Sequence, residues 1–378
     1  MHMATGNSEC FGVALKFRHQ GVASLRLYLD STPHPDILRL CRALTIFLFA
    51  DSILGDRAAM DIYVRFLKDL FQSHYLTLAT ELSFILHHFI NIIYCDVQLA
   101  VMALSRTSFD LAPNKWVEKL FEPLWDHQLT GFSSTRVQAD QSLDSCLQGE
   151  LRPLLIDAQQ IFNAVTEVRT NPSIVNRLTV FYIASKLTLT VGRLMDYFVR
   201  LDVDQLLSSE QDHLCPESST RAKQDACACL CAVYWLREFA KIENICLTKD
   251  LRMFRANHTI MKKLRQVVER TVFSESISWD YQGKGSLRLL LWVLWTGASA
   301  ENAASGPGDP GDTNASSGLG DDSKWFTDKL TAFSNQAGIK TCAECWEVLS
   351  QFLVPESLLS TDTDRLAWPY LSTDKMKE

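Results

Sequence analysis

The chain has 378 residues, a formal net charge of -7 at pH 7, 47% hydrophobic and 21% charged residues. That length can bury a large core without disulfide or metal staples, and the acidic balance argues against a chain that coats nucleic acid. Eleven cysteines, an odd number with no secreted-type spacing, read as reduced thiols of an intracellular, soluble protein.

Taken from the N-terminus, Met1 to Leu15 is mixed and polar, without the apolar core of a signal peptide. Ala59, Ile62, Tyr63, Phe66, Leu67 and Leu70 recur at helical spacing, which predicts a helix starting after Gly55-Asp56. Leu82 to Leu104 is the most apolar stretch. His87, His88, Asn91, Asp96 and Gln98 interrupt it, so it reads as a buried helix and not a membrane span. Gln128 to Gln148 is polar and reads as a loop with a short helix.

Arg177 to Leu201 is apolar on most sides, the pattern of a central helix, with Asn171-Pro172-Ser173 as its start signal. Ser218 or Ser219 is the expected cap of the next helix, through Ala226, Leu230, Val233, Tyr234 and Phe239. Ile260, Leu264, Val267 and Val268 mark another, and Leu287 to Trp295 another. Ala300 to Asp322 is rich in Gly, Pro, Ser and Asp and reads as a disordered insert, since the apolar pattern resumes at Trp325-Phe326. Trp292, Trp295, Trp325 and Trp346 are expected to pack together, joining helices on both sides of it. An effector pocket lined by Trp292 and Trp295 is the lesser alternative. Strand signals are scarce, so the expected class is all-α.

On a helix Cys227 and Cys231 share a face while Cys229 points elsewhere, so the three do not converge on one ion. Cys342-Ala343-Glu344-Cys345 is half of a zinc site, with no second pair. The aspartates that a helical magnesium enzyme would need are misplaced: Asp51 and Asp56 flank a helix break, Asp321-Asp322 lies in the insert, and Asp362 and Asp364 lie in the tail. His87-His88 reads as a core or groove pair. Lys262, Lys263, Arg265 and Arg270 read as a solvated helix face. Two glycosylation sequons, at Asn257 and Asn314, carry no weight without secretion. The sequence thus predicts no catalytic residue, no metal ligand and no cofactor.

The ordered run of local patterns is similar to the regulatory region of fungal zinc-cluster transcription factors. Val13 to Leu29 resembles the helix that opens that region, and Leu44 to Leu70 the next two helices around Gly55-Asp56, with Tyr63 where the family often has histidine. Tyr94-Cys95-Asp96-Val97 followed by Pro113 is similar to a mid-region segment, and Ala226 to Phe239 to a later helix that here lacks its usual arginine. Leu287 to Ala298, Trp325-Phe326, Trp346-Glu347-Val348-Leu349 and Phe352-Leu353 follow the family's closing order, with Val354-Pro355 in place of a tryptophan and Trp368 as the final one.

The resemblance implies one irregular helical domain. Its expected parts are a flexible N-terminus 1–10, a main part 11–299, the insert 300–323, completing helices 324–370 and a tail 371–378. It further implies a nuclear transcriptional regulator of a metabolic or biosynthetic gene set, with cytoplasm as the alternative location. Such a regulator acts through another transcription regulator or co-regulator, with a small effector as an additional expectation. The six clustered cysteines of the family's zinc cluster are absent from this sequence, so direct DNA binding is not expected of it. The alternatives are a helical biosynthetic enzyme of terpene-cyclase-like type, or an inactive truncated family member.

Overall fold

The computed structural model describes residues 8–54, 56–74, 85–111, 116–129, 147, 149–174, 176–208, 216–242, 252–271, 284–304, 324–339 and 341–354. It is 87% helical in that part, with no strand among the described residues, so the all-α class holds. The chain divides into two compact units, Met1–Ala100 with Thr107–Phe121, and Val101–Arg106 with Glu122–Glu378. Nothing in the helical periodicity marks that division.

The first unit opens with α1 (Ser8–Ser31), α2 (Ile37–Leu54) and α3 (Arg57–Ser73). Helix α1 begins ahead of the expected boundary at residue 11. Helix α3 starts where the sequence places it: Asp56 is its N-cap and accepts from Ala59 N–H at 3.1 Å. Its buried stripe is Met60, Val64, Leu67, Leu70 and Phe71, rotated from the expected one. Ile62 and Phe66 are left 65% and 45% exposed, because the core of this unit meets α3 on the Val64–Leu67 side.

That core is aromatic. Phe71 meets Phe89 at 4.5 Å between ring centroids, and Phe89 also meets Phe109, Trp116 and Phe121. Phe89 ends a π-turn, Ile85–Phe89, that runs into α4 (Ile90–Ala103). Asp96 of α4 is buried and accepts from the backbone N–H groups of Ser108 and Phe109, at 2.8 and 3.1 Å, which fixes the turn leading toward α5 (Trp116–Leu129).

The second unit holds α6 (Leu151–Thr170), α7 (Arg177–Arg200), α8 (Val203–Ser208), α9 (Pro216–Ile242), α10 (Arg252–Thr271), α11 (Lys284–Ala304), α12 (Trp325–Ala337) and α13 (Cys342–Leu349). Helix α9 packs against α6, α7, α8, α10 and α11, and its stretch from Ala226 to Leu236 is buried throughout. Ile260, Leu264, Val267 and Val268 of α10 are buried as their spacing predicts.

Leu178–Gln205 is long and apolar enough to cross a membrane by composition, yet 83% of its most apolar window is buried inside the protein, the position of a core helix. Two start signals fall elsewhere than expected. Asn176 caps α7, accepting from Thr179 N–H at 2.9 Å, while Pro172–Ile174 forms a separate 3-10 turn. Helix α9 starts at Pro216, so Ser218 and Ser219 are already helical.

Helix α11 runs on to Ala304, so the first residues of the Gly/Pro-rich segment are helical and not unpacked. Residues 305–323 of that segment, most of the polar stretch after Leu129, and the tail beyond Val354 lie outside the described residues.

Candidate functional site

A charged constellation in the first unit joins α1 to the α2–α3 break. Arg18 of α1 faces two carboxylates: its Nε lies 2.6 Å from Asp51 Oδ1, and its Nη2 lies 3.1 Å from both Asp51 Oδ2 and Asp56 Oδ2. Asp51 is fully buried at the end of α2, and Asp56 keeps its other oxygen on the α3 cap. Burial pushes the Asp51 carboxyl up from its ordinary value despite the guanidinium, with Asp56 adding to the rise.

Tyr63, at the position where the resembled family often has histidine, stacks on Phe47 at 6.2 Å. Its phenol is pushed up, first by burial and then by Asp51. Two carboxylates clamped on one guanidinium make a structural latch, and the second carboxylate is occupied as a helix cap. The sequence singled out Asp51 and Asp56 only as a failed chelating pair. The missing partner was Arg18, and no local signal reveals a pair 33 residues apart.

The second constellation lies in the second unit, where α11 meets α9 and α13. Trp235 and Trp295 stack at 4.9 Å, and Trp346 meets Trp295 edge-on at 5.9 Å. Trp235 Nε1–H donates to Thr296 Oγ1 at 2.9 Å, and Thr296 donates in turn to the Trp292 carbonyl at 2.8 Å. Trp292 is fully buried, stacks on Phe352 at 5.2 Å and donates to the Leu353 carbonyl at 3.3 Å.

The expected four-tryptophan cluster is therefore only partly formed. Trp295 and Trp346 meet, Trp292 packs on Phe352, and Trp325 lies apart against Phe326 beneath the Arg265 guanidinium at 5.1 Å. Trp235, which the sequence reading passed over, is the ring that completes the stack. Trp292 and Trp295 share one side of α11 but are one turn apart along it, so Trp295 meets Trp235 and Trp346 while Trp292 meets the segment after α13, at Phe352 and Leu353.

The remaining candidates resolve into structure. Cys227, Cys229 and Cys231 are buried; burial pushes the Cys227 thiol up to about 12 and the other two well above their usual range. Cys342 to Cys345 is the first turn of α13. There Thr341 and Glu344 form a capping box at 3.2 Å each way, so the acidic residue inside the motif is a helix cap. Cys345 is buried.

On α10, Lys263 pairs with Asp204, Arg265 with Glu269, and Arg270 donates to the Leu207 carbonyl, so these three side chains of the basic face are engaged within the fold. Asn257 is buried and bonded to Arg237 and Glu238, at 2.9 and 2.6 Å, which leaves its sequon amide inaccessible to a glycosyltransferase. His88 is half-buried at the π-turn. Asn314, Asp321, Asp322, Asp362 and Asp364 lie outside the described residues.

Compared with protein-family models, with curated proteins and with solved structures, the chain has no match in any of the three.

Proposed function

We propose that this chain is the regulatory region of a transcriptional regulator of the fungal zinc-cluster type, working through protein–protein contacts in the nucleus. The reading rests on the ordered motifs of the sequence, and one observation supports it: four of the matching segments fall on helices, the kind of element the resemblance implies for them. Val13 to Leu29 lies within α1, Leu44 to Leu70 spans the α2–α3 break, Ala226 to Phe239 lies within α9 and Leu287 to Ala298 within α11.

Two further features are in keeping with a contact-based role. The charged clusters described above are spent on holding helices together. The first unit also keeps large apolar side chains in solvent, among them Ile62 and Phe66, one turn apart on α3. The occupant of such a surface is another transcription regulator, which supplies the base readout that the acidic chain lacks.

The test has two arms. Purified protein is expected not to shift promoter or random DNA at physiological salt, while deletion of the gene changes transcript levels of a defined gene set. Sequence-specific binding by the isolated chain overturns the proposal. Unchanged transcripts together with a lost metabolite overturn it in favour of an enzyme.

A further inference from the structure

Helix α1 carries large apolar side chains on a face that its own unit leaves in solvent. Phe17 is 68% exposed, Leu27 69% and Val13 52%. At about 100° per residue, Phe17 and Leu27 lie about 40° to either side of Val13, so the three form one stripe, with Gln20 and Ser24 between them. The inward side of the helix is fixed independently. Gly21 abuts the Phe47 ring, which would lie 2.7 Å from an added β-carbon, and Arg18 reaches Asp51. The stripe is therefore centred about 110° around the helix from that inward side.

We propose that this face is a homodimer surface on which α1 of two copies packs antiparallel about a two-fold axis that passes between Gln20 and Ser24. In that register Phe17 of one copy meets Leu27 of the other, twice by symmetry, and the small or polar Gln20 and Ser24 meet at the crossing point. Charge selects this occupant. Exposed Lys16 and Asp30 flank the stripe on the same side, and in an antiparallel pair same-side flanks face each other.

Lys16 then lies near Asp30 of the other copy at both ends. A parallel two-fold pair would carry the two Lys16–Asp30 flanks to opposite sides of the contact and would gain no such pairing. One cation and one anion per stripe give no net charge to attract an anionic lipid surface or an acidic peptide. One helix face is small beside the roughly 1,200–2,000 Å² of stable interfaces, so the dimer forms as concentration rises and is not obligate.

The proposal concerns the first unit alone and stands apart from the regulatory reading, which a mass measurement does not touch. The experiment is sedimentation equilibrium of the full chain up to about 100 μM, a range that reaches contacts of this class. Circular dichroism controls for folding. The wild-type chain is expected to show a monomer–dimer equilibrium. Phe17→Ser with Leu27→Ser should weaken it at least tenfold, Lys16→Glu alone should weaken it less, and Lys16→Glu with Asp30→Lys should restore it. A monomeric wild type overturns the proposal, as does a dimer indifferent to the Phe17 and Leu27 changes. A dimer that Lys16→Glu weakens and the double charge swap fails to restore overturns the antiparallel register.

Discussion

The ring of Phe326 occupies the space that a side chain at Gly297 would need: a β-carbon built there lies 2.2 Å from the ring carbons. Helix α12 thus approaches α11 more closely than any residue but glycine allows. One turn further along, the half-buried Glu301 carboxylate accepts from the Phe326 and Thr327 backbone N–H groups, at 2.8 and 3.0 Å, and from the Thr327 hydroxyl at 2.8 Å. The two helices are locked by shape and by a cap supplied from outside the capped helix.

Gly297→Ala is therefore expected to destabilise the second unit by about 1–3 kcal/mol, the usual cost of overpacking. Three carbons of the ring lie within 2.6 Å of the missing β-carbon, and Phe326 is buried at 4% exposure with little room to retreat. Urea denaturation followed by tryptophan fluorescence reads this directly. An unchanged midpoint would mean that α12 slides without cost.

Glu301→Ala leaves two N–H groups at the start of α12 without their acceptor and is expected to cost about 1–3 kcal/mol. Glu301→Gln keeps an acceptor oxygen and should cost less. Burial pushes the folded-state carboxyl up despite its three donors. A raised carboxyl pKa favours the folded state most at low pH, and that contribution is lost as pH rises through the folded value. The wild type should therefore lose stability relative to Glu301→Gln as pH rises from about 4.5 toward neutrality. Parallel melts of the two proteins at pH 4.5 and 7 check the sign.

Trp292→Ala should cost about 3–5 kcal/mol, because the side chain is fully buried, stacked on Phe352 and bonded to the Leu353 carbonyl. Trp325→Ala should cost clearly less, since that ring is half-exposed with the Arg265 and Lys329 cations over it. Equal losses at the two positions would contradict the packing described.

Cys41, Cys95, Cys227, Cys229, Cys231 and Cys345 are buried free thiols, and burial pushes Cys41 as well as Cys227 up to about 12. At pH 8 they should resist alkylation in the native protein and react together on denaturation. Peptide mass mapping after brief iodoacetamide treatment distinguishes them from the other cysteines. Rapid native labelling at Cys229 would show that α9 opens.

Local rules carried the sequence reading as far as they reach. Apolar spacing gave the all-α class and the buried faces of α9 and α10, and Gly55-Asp56 gave the start of α3, because periodicity and capping act within a few residues of the chain. They misjudged which face of α3 is buried, since Ile62 and Val64 are equally apolar and only the neighbouring helices choose between them. Tertiary structure alone decided the rest. Arg18 met Asp51, Trp235 met Trp295 and Glu301 capped α12, and these partners stand 33, 60 and 25 residues apart. Glu301 in particular lay in a segment whose composition reads as an unpacked insert. A single carboxylate aimed at a free helix end gives it a packed role, and its composition could not reveal that.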